Sequence, residues 1–271
     1  DWSVEGGGSW ELGRPSSGPN GAHHGTNVMA TKLDGDYPEW NVAGTGLSFS
    51  SRLISPAFVV PAAAQNPRLR FWHWFSFNVG PDSGQVQVQA GTNAWVTLAR
   101  YEGHSSGVWS RPALDLSAFA GQTVRIGFEF EAVDGDYWIN TTAPGWYLDE
   151  VSLVTGSIPT LVANVPESLE GGLGDWSVDN SVWEVGVPTF GPPTNGLGRR
   201  AYAGTNCAGT VDGNYVDNSD SRLISPVFTV PETGLNPRLR FFSWMQCYPG
   251  DYGRVLLRTG TNAWQPISSD Y

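Results

Sequence analysis

The chain repeats itself, and that limits what it can fold into more than any other feature. Asp1-Trp2-Ser3-Val4 returns as Asp175-Trp176-Ser177-Val178, and residues 51–56 (Ser-Arg-Leu-Ile-Ser-Pro) return unchanged at 221–226. Residues 66–71 return at 236–241, and Gly91-Thr92-Asn93-Ala94-Trp95 returns at 260–264. The offsets run from 169 to 174, so the copies differ by small net insertions and deletions, which surface loops tolerate. A repeat of this period means two homologous modules, each with its own core, and 271 residues is about the length of two average domains. The reading is a first module over residues 1–157, a linker at 158–165 and a second module over 166–271.

Neither module is whole. The second ends at Tyr271, which corresponds to about Glu102 of the first, so it lacks counterparts of 109–116, 122–132 and 145–155, three stretches that read as strands. The first lacks a counterpart of Glu167-Ser168-Leu169-Glu170-Gly171-Gly172, which precedes the second Asp-Trp-Ser-Val. The favoured expectation is a window on a longer tandem array, and the opening at Asp1 without methionine or apolar leader fits a mature product or a piece. The alternative is that neighbouring molecules complete the ends by strand donation.

Strand periodicity runs through each copy. Val124, Ile126, Phe128 and Phe130 alternate with Arg125, Gly127, Glu129 and Glu131, and Gln85, Gln87 and Gln89 alternate with Val86 and Val88. From Leu69 to Phe77 the chain is apolar on both faces, with Trp72 and Trp74 opposite Leu69, Phe71, Phe75 and Phe77. No segment of helical period competes. With 34 Gly and 19 Pro as punctuation and only 15% charged residues, the fold class is all-β: tandem antiparallel β-sandwich modules of jelly-roll type, the second incomplete.

Composition excludes two partner classes. The net charge is -11 and Lys32 is the single lysine, which argues against a nucleic-acid backbone. No apolar run approaches the roughly 18 residues a spanning helix needs.

The chain resembles the MAM-like jelly-roll modules attached to secreted bacterial proteins, including those of immune-inhibitor-A-type peptidases. The residues that carry the resemblance are Trp10-Glu11-Leu12-Gly13, Gly18-Pro19, Gly25-Thr26-Asn27, Ala30-Thr31, Leu33, Gly35 and Tyr37, and residues 69–74. Leu114-Asp115-Leu116-Ser117, Ala120-Gly121-Gln122 and Gly145-Trp146-Tyr147-Leu148-Asp149-Glu150-Val151 complete the set. The resemblance implies a non-catalytic extracellular module used for adhesion, glycan contact or support of a neighbouring domain. It also implies a structural Ca²⁺ between the first and last strands, held by a first-strand glutamate and a last-strand aspartate, here Glu170 and Asp149. Carboxylates and backbone carbonyls suit this hard cation. Asn27 and Asn206 in the Gly-Thr-Asn turns, and Asp34 and Asp212 in the Asp-Gly turns, are further candidates, with ordinary turn roles as the alternative.

Jelly-roll carbohydrate binders use a sheet face on which rings stack on sugars and amides bond hydroxyls. If the Leu69 and Gln85 strands form a hairpin, Trp72, Trp74, Gln85, Gln87 and Gln89 share one such face. The second copy offers Phe242, Trp244, Arg254, Leu256 and Arg258 at those positions, so the two copies need not bind alike. The alternative is that these aromatics pack under a long loop or against the adjacent module.

No catalytic constellation emerges. His23, His24, His73 and His104 lack the helical spacing of a metalloprotease motif, and there is no Gly-x-Ser-x-Gly elbow. His73 shares the Phe71 and Phe75 face and reads as a hydrogen-bonded core histidine. Cys207, aligned with Val28, and Cys247, at the end of the Leu239 strand, are either a disulfide of an oxidising compartment or two buried thiols. Asn140-Thr141-Thr142 is a glycosylation sequon whose use depends on the host. The expectation is a secreted or surface-displayed recognition or adhesion protein, stiffened by Ca²⁺, with a glycan or cell-surface protein as partner. Two alternatives stand beside it: a subunit that self-associates into an extracellular filament or stalk, and an accessory region of a large secreted hydrolase.

Overall fold

The computed structural model describes residues 1–37, 48–78, 82–103, 106–133, 142–158, 160–180, 182–191, 193–194, 198–210, 215 and 219–271. His104, Asn140, Thr141 and Asp212 lie outside the described residues.

Residues 1–154 build a two-layer antiparallel sandwich. One sheet has the order β1 (Ser3–Gly6), β4 (Ser48–Ile54), β10 (Thr123–Val133), β7 (Ser83–Ala90), β8 (Val96–Glu102), and β5 (Phe58–Val59) extends the β4 side of β10. The other has the order β2 (Glu11–Gly13), β3 (Val28–Ala30), β11 (Gly145–Val154), β6 (Arg68–Ser76), β9 (Ala113–Asp115). Alternation sets the layers: Val124, Ile126, Phe128 and Phe130 are buried between the sheets, while Arg125, Glu129 and Glu131 face outward. The expected all-β, jelly-roll-type architecture is what forms.

The expected hairpin between the Leu69 and Gln85 strands does not form. β6 and β7 lie in opposite sheets, β6 between β11 and β9, β7 between β10 and β8. The reason lies at the crossing. The Tyr37 hydroxyl donates to Asp82 Oδ2 (2.5 Å) and accepts from the Asn78 amide (3.0 Å), and Asp82 Oδ1 accepts from the Val133 amide (2.8 Å). These bonds carry the chain over the end of the sandwich. β6 then sits mid-sheet, where both of its apolar faces can be covered.

The core is aromatic. Phe71, Phe75, Phe77, Phe128, Phe130, Tyr37, Tyr101 and Trp146 are all buried, some edge-to-face, as between Phe71 and Phe128 (5.2 Å, 84°), and some stacked, as between Phe75 and Phe77 (5.1 Å, 13°). Gly84 makes room for Trp146, since a Cβ there would lie 2.7 Å from the indole. His73 belongs to this core, as expected. Its Nδ1 accepts from Trp146 Nε1 (3.3 Å), which leaves the proton on Nε2, and the ring stands edge-on to Tyr101 (4.5 Å, 64°).

The second copy repeats the early pairings. β12 (Ser177–Asp179) on β17 (Arg222–Ile224) reproduces β1 on β4, with Asp179 opposite Arg222 as Glu5 is opposite Arg52. β13 (Trp183–Gly186) on β16 (Cys207–Thr210) reproduces β2 on β3. Four further short segments pair locally: β14 (Pro193–Thr194) with β15 (Gly198–Arg199), and β18 (Leu256–Leu257) with β19 (Gln265–Pro266). The counterpart of β6 pairs with no strand among the described residues. Leu239 and Phe241 are 59% and 53% exposed, where Leu69 and Phe71 are 2% and 0%. β6 is sheltered by β11 and β9, and residues 166–271 include no counterpart of either. Cys207 is half-buried on β16 and Cys247 is exposed, and the two are not joined, so neither the expected disulfide nor the alternative pair of buried thiols is formed.

Burial pushes the His73 imidazole down to about 3. The folded state therefore prefers the neutral ring, so this stability is whole above the unfolded value near 6.5 and is lost as pH falls toward 3. Denaturant titrations of the chain at stepped pH should show a loss of about 1.4 kcal/mol per pH unit within that window. His73→Phe should flatten that slope; an unchanged slope would assign the acid sensitivity elsewhere.

Candidate functional site

The outer face of the β11/β6 sheet is closed. Trp74 is buried against Tyr147 (5.4 Å, 79°) in a cluster with Val28 and Ala30. The loop over it is fixed by Ser17 Oγ and the Tyr147 hydroxyl (2.9 Å), and Gly18, at φ 71°, is forced because a Cβ would lie 2.5 Å from the Tyr147 ring. Trp72 is half-buried beneath His23, whose ring stacks on the indole at 3.7 Å and 13°. His23 Nδ1 is held by Glu150 Oε2 (3.0 Å), with Trp109 and Arg111 at the margins. The second copy repeats the device with Tyr202 on Phe242 (3.4 Å, 12°). Trp244 is exposed, Arg254 lies over Tyr252 (4.4 Å) and pairs with Asp270 (3.0 Å), and Arg258 lies over Trp264 (4.6 Å). Trp72 and Trp74 thus share no face with Gln85, Gln87 and Gln89.

The glutamines have different company. On the outer face of the β10/β7 sheet, register places Glu129 beside Arg52 and Gln85, and Gln87 beside Gly127 and Thr97. Arg52 donates from Nε to Gln87 Oε1 (2.9 Å) and from Nη2 to Glu129 Oε1 (2.6 Å), and Gln87 Nε2 donates to Glu129 Oε2 (2.5 Å). Ser50 Oγ donates to Glu129, Thr97 Oγ1 to Gln85 Oε1 (2.9 Å each), and Gln89 Nε2 to the Asn93 carbonyl (2.9 Å). Trp95 lies over the Arg52 guanidinium at 4.8 Å. Gly127 is the floor that lets it settle, since a Cβ would come within 2.9 Å of the indole and 2.7 Å of Arg52 Cδ.

This lattice alternates donors and acceptors, cancels the Arg52 and Glu129 charges, and carries a ring at its edge. Arg52, Trp95 and Glu129 were not singled out from sequence, yet a signal existed: residues 51–56 and 91–95 are among the stretches that recur unchanged. The second copy keeps the corresponding Arg222, ion-paired with Asp179 (2.6 Å), and Trp264.

The metal candidates divide into two halves. Glu170 lies on the second copy's turn: Thr205 N (3.0 Å), Thr205 Oγ1 (2.5 Å) and Asn206 N (3.0 Å) donate to its carboxylate, and Asn206 Nδ2 donates to the Leu169 and Glu170 carbonyls (3.3 and 3.2 Å). The Thr205 hydroxyl and the two amides hold the Glu170 carboxyl below its ordinary value. In the first copy it is Asp149 that reaches this place, its Oδ2 accepting from the His24 amide (2.9 Å), one residue before Gly25-Thr26-Asn27. A bulge in β11, with Glu150 at φ 48°, aims Asp149 and Glu150 there. Gly25 and Gly204 share one conformation (φ 68° and 69°). A Cβ on Gly204 would strike Glu170 Oε1 at 2.3 Å, whereas the same space over Gly25 is open. Asn27 is exposed on that turn, and Asp34 is engaged with Lys32 (2.7 Å) away from it. No group of three His, Cys, Asp or Glu side chains gathers among the described residues.

No protein-family model matches the chain. Over 146 residues, 54% of the chain, it is 31% identical to Bacillopeptidase F of Bacillus subtilis (strain 168), of whose length it spans 9%. Among solved structures it is similar to TmCBM61 in complex with β-1,4-galactotriose (16% identity, 57% of this chain and 88% of that one, TM-score 0.36). It is similar too to the K1 cleaved adhesin domain of Lys-gingipain from Porphyromonas gingivalis W83 (18% identity, 58% and 91%, TM-score 0.36). Among the described residues no helix is long and apolar enough to cross a membrane.

Filling the floor under Trp95 should be costly. Gly127→Val should lower stability by about 1–3 kcal/mol by overpacking against Trp95 and Arg52. Denaturant unfolding measures this, and wild-type stability would show that the ring does not rest there.

Proposed function

We propose that the chain is a non-catalytic recognition segment of a longer extracellular protein, and that its first module binds neutral glycan on the outer face of the β10/β7 sheet. The observation that supports this reading is the Arg52–Gln87–Glu129 lattice with Trp95 at its edge: fixed polar groups of both senses, an Arg52 guanidinium shared between Glu129 and Glu5 (3.5 Å), and an aromatic ring. In this arrangement Trp95 stacks on a sugar ring, while Gln85, Gln89 and Thr97, nearer to solvent, bond hydroxyls. Retention of the chain on a panel of insoluble and cell-wall polysaccharides tests it. Trp95→Ala with Gln85→Ala should weaken retention about tenfold or more, the effect of losing an aromatic anchor and a hydrogen-bonding amide. Trp72→Ala should change little, because His23 already covers that ring. Uniform absence of retention would retire the glycan reading.

A second reading, an accessory region of a large secreted hydrolase, is favoured by the similarity to a short stretch of a peptidase. Catalytic motifs in the flanking reading frame would support it; further repeats alone would not.

We also propose that a module carrying both halves of the turn site binds Ca²⁺. A Glu170-type and an Asp149-type carboxylate hold the ion with carbonyls of the Gly-Thr-Asn region, and the open space over Gly25 is where the first carboxylate fits. Placing residues 167–174 ahead of Asp1 supplies the first module with that carboxylate. Its melting temperature should then rise in Ca²⁺ relative to chelator, reflecting about 2.7 kcal/mol when free ion exceeds the dissociation constant a hundredfold. Equal melting in both would dispose of the site.

A further inference from the structure

Relative motion is the default for two modules joined by a linker. Here the connection is held at both of its ends, and both holds lie at the start of β6. As the chain leaves β11, the Gly156 amide donates to the Gln65 carbonyl (2.8 Å) and the Gly156 carbonyl accepts from Asn66 Nδ2 (3.2 Å). Further along the same strand, Arg70 takes hold of the segment that enters the second copy. Nη1 donates to the Gly174 carbonyl (3.1 Å), Nη2 donates to the Trp176 carbonyl (2.7 Å), and the Asp175 carboxylate lies 3.6 Å from Nη1.

The Arg70 side chain is only 4% exposed, although it projects from the outer face of β6. Burial, with Arg111 and Arg68 nearby and Asp175 opposing, pushes this guanidinium down to about 10, so it keeps its charge at neutral pH. A buried cation has to be met by acceptors. Among the described residues those acceptors all come from the entering segment, and the Arg70 side chain makes no hydrogen bond to its own module. The segment is gripped from its other side too, where the Glu170 carboxylate accepts from the Thr205 and Asn206 amides (3.0 Å each). Between these grips it is wound rather than slack: the Gly172 amide donates to Leu169 O and the Trp176 amide to Leu173 O (3.0 Å each), and Leu173 and Val178 are buried.

We infer that this clasp turns the two copies into one rigid body, with Arg70 as the positioning residue that fixes the angle between them. The guanidinium suits the task because its planar fork reaches two carbonyls at once, which the point charge of a lysine does not. Without those bonds the Gln65 and Asn66 hold on Gly156 stands alone, and residues 157–176 become a hinge.

Backbone amide relaxation of the full chain by NMR tests this, because a free hinge gives each module its own rotational correlation time. Amides of β4, β10 and β11 report on the first copy, and those of β12, β13, β16 and β17 on the second. In the wild type both sets should give one value, that of the whole chain. Arg70→Met, which keeps a buried apolar stem and removes the donors, should split it into two shorter values, and Arg70→Lys should do the same. Asp175→Lys attacks the clasp from the other side by setting a further cation beside Arg68, Arg70 and Arg111, and should split the values too. Its side chain is 41% exposed, so that change leaves both cores intact. Arg100→Ala, on the opposite sheet and paired with Glu102, should keep one value. Two values in the wild type overturn the proposal, as does a single value in either Arg70 variant whose first-copy amide shifts away from β6 are unchanged, or a split in Arg100→Ala. Should the Arg70 variants unfold the first copy, Asp175→Lys decides, and a single value there is equally fatal.

Discussion

A strand that is apolar on both faces has to be paired on both edges and roofed on both sides, and the structure depends on how β6 meets that requirement. Its inner residues Leu69, Phe71, His73 and Phe75 form the middle of the core, and its outer residues Arg70, Trp72 and Trp74 are each covered by something different. β11 supplies the longer pairing edge and, through Trp146, the hydrogen bond that fixes the His73 tautomer. In the second copy the same Leu-Arg-Phe sequence stands open to solvent, although its own β1/β4 and β2/β3 counterparts pair in the same register.

This division gives the two sheets different work. The β11/β6 sheet spends its outer face on structure: a loop over Trp74, a histidine over Trp72, the next module over Arg70. The β10/β7 sheet has polar side chains on its outer face, tied to one another more than to any covering segment, and that is the face on which we propose recognition. Glu129 and Gln87 are positioned by each other and by Arg52, so a ligand would meet groups already oriented, with little ordering left to do on binding. The Gly-Thr-Asn turn beside the other sheet gathers one carboxylate in each copy, from opposite ends of the module sequence.

Much of this was legible in the residues. Alternation in β10 and β7 placed Phe128, Phe130 and Val86 inside and the glutamines outside, because a strand's period is strict. His73 read as a core histidine because it shares a face with phenylalanines. That β6 and β7 lie in opposite sheets was not legible. Sequence adjacency favours hairpins, and the bonds that override it join Tyr37, Asp82 and Val133, which are far apart in the chain. The expected grouping of side chains changed for the same reason: the ring on the sheet of Gln85 and Gln87 is Trp95, and Trp72 lies on the other sheet.

By itself, then, the sequence determined the all-β class, the internal repeat and the in-or-out sense of each strand residue. These follow from local backbone geometry and from matching one copy against the other. Only the tertiary structure decided which sheet each strand joins, which rings are covered, and that Arg70 of one copy donates to the Gly174 and Trp176 carbonyls of the next. Those outcomes rest on contacts between distant residues, where the requirement that every buried polar group find a partner selects among arrangements that hydrophobic pattern leaves equivalent.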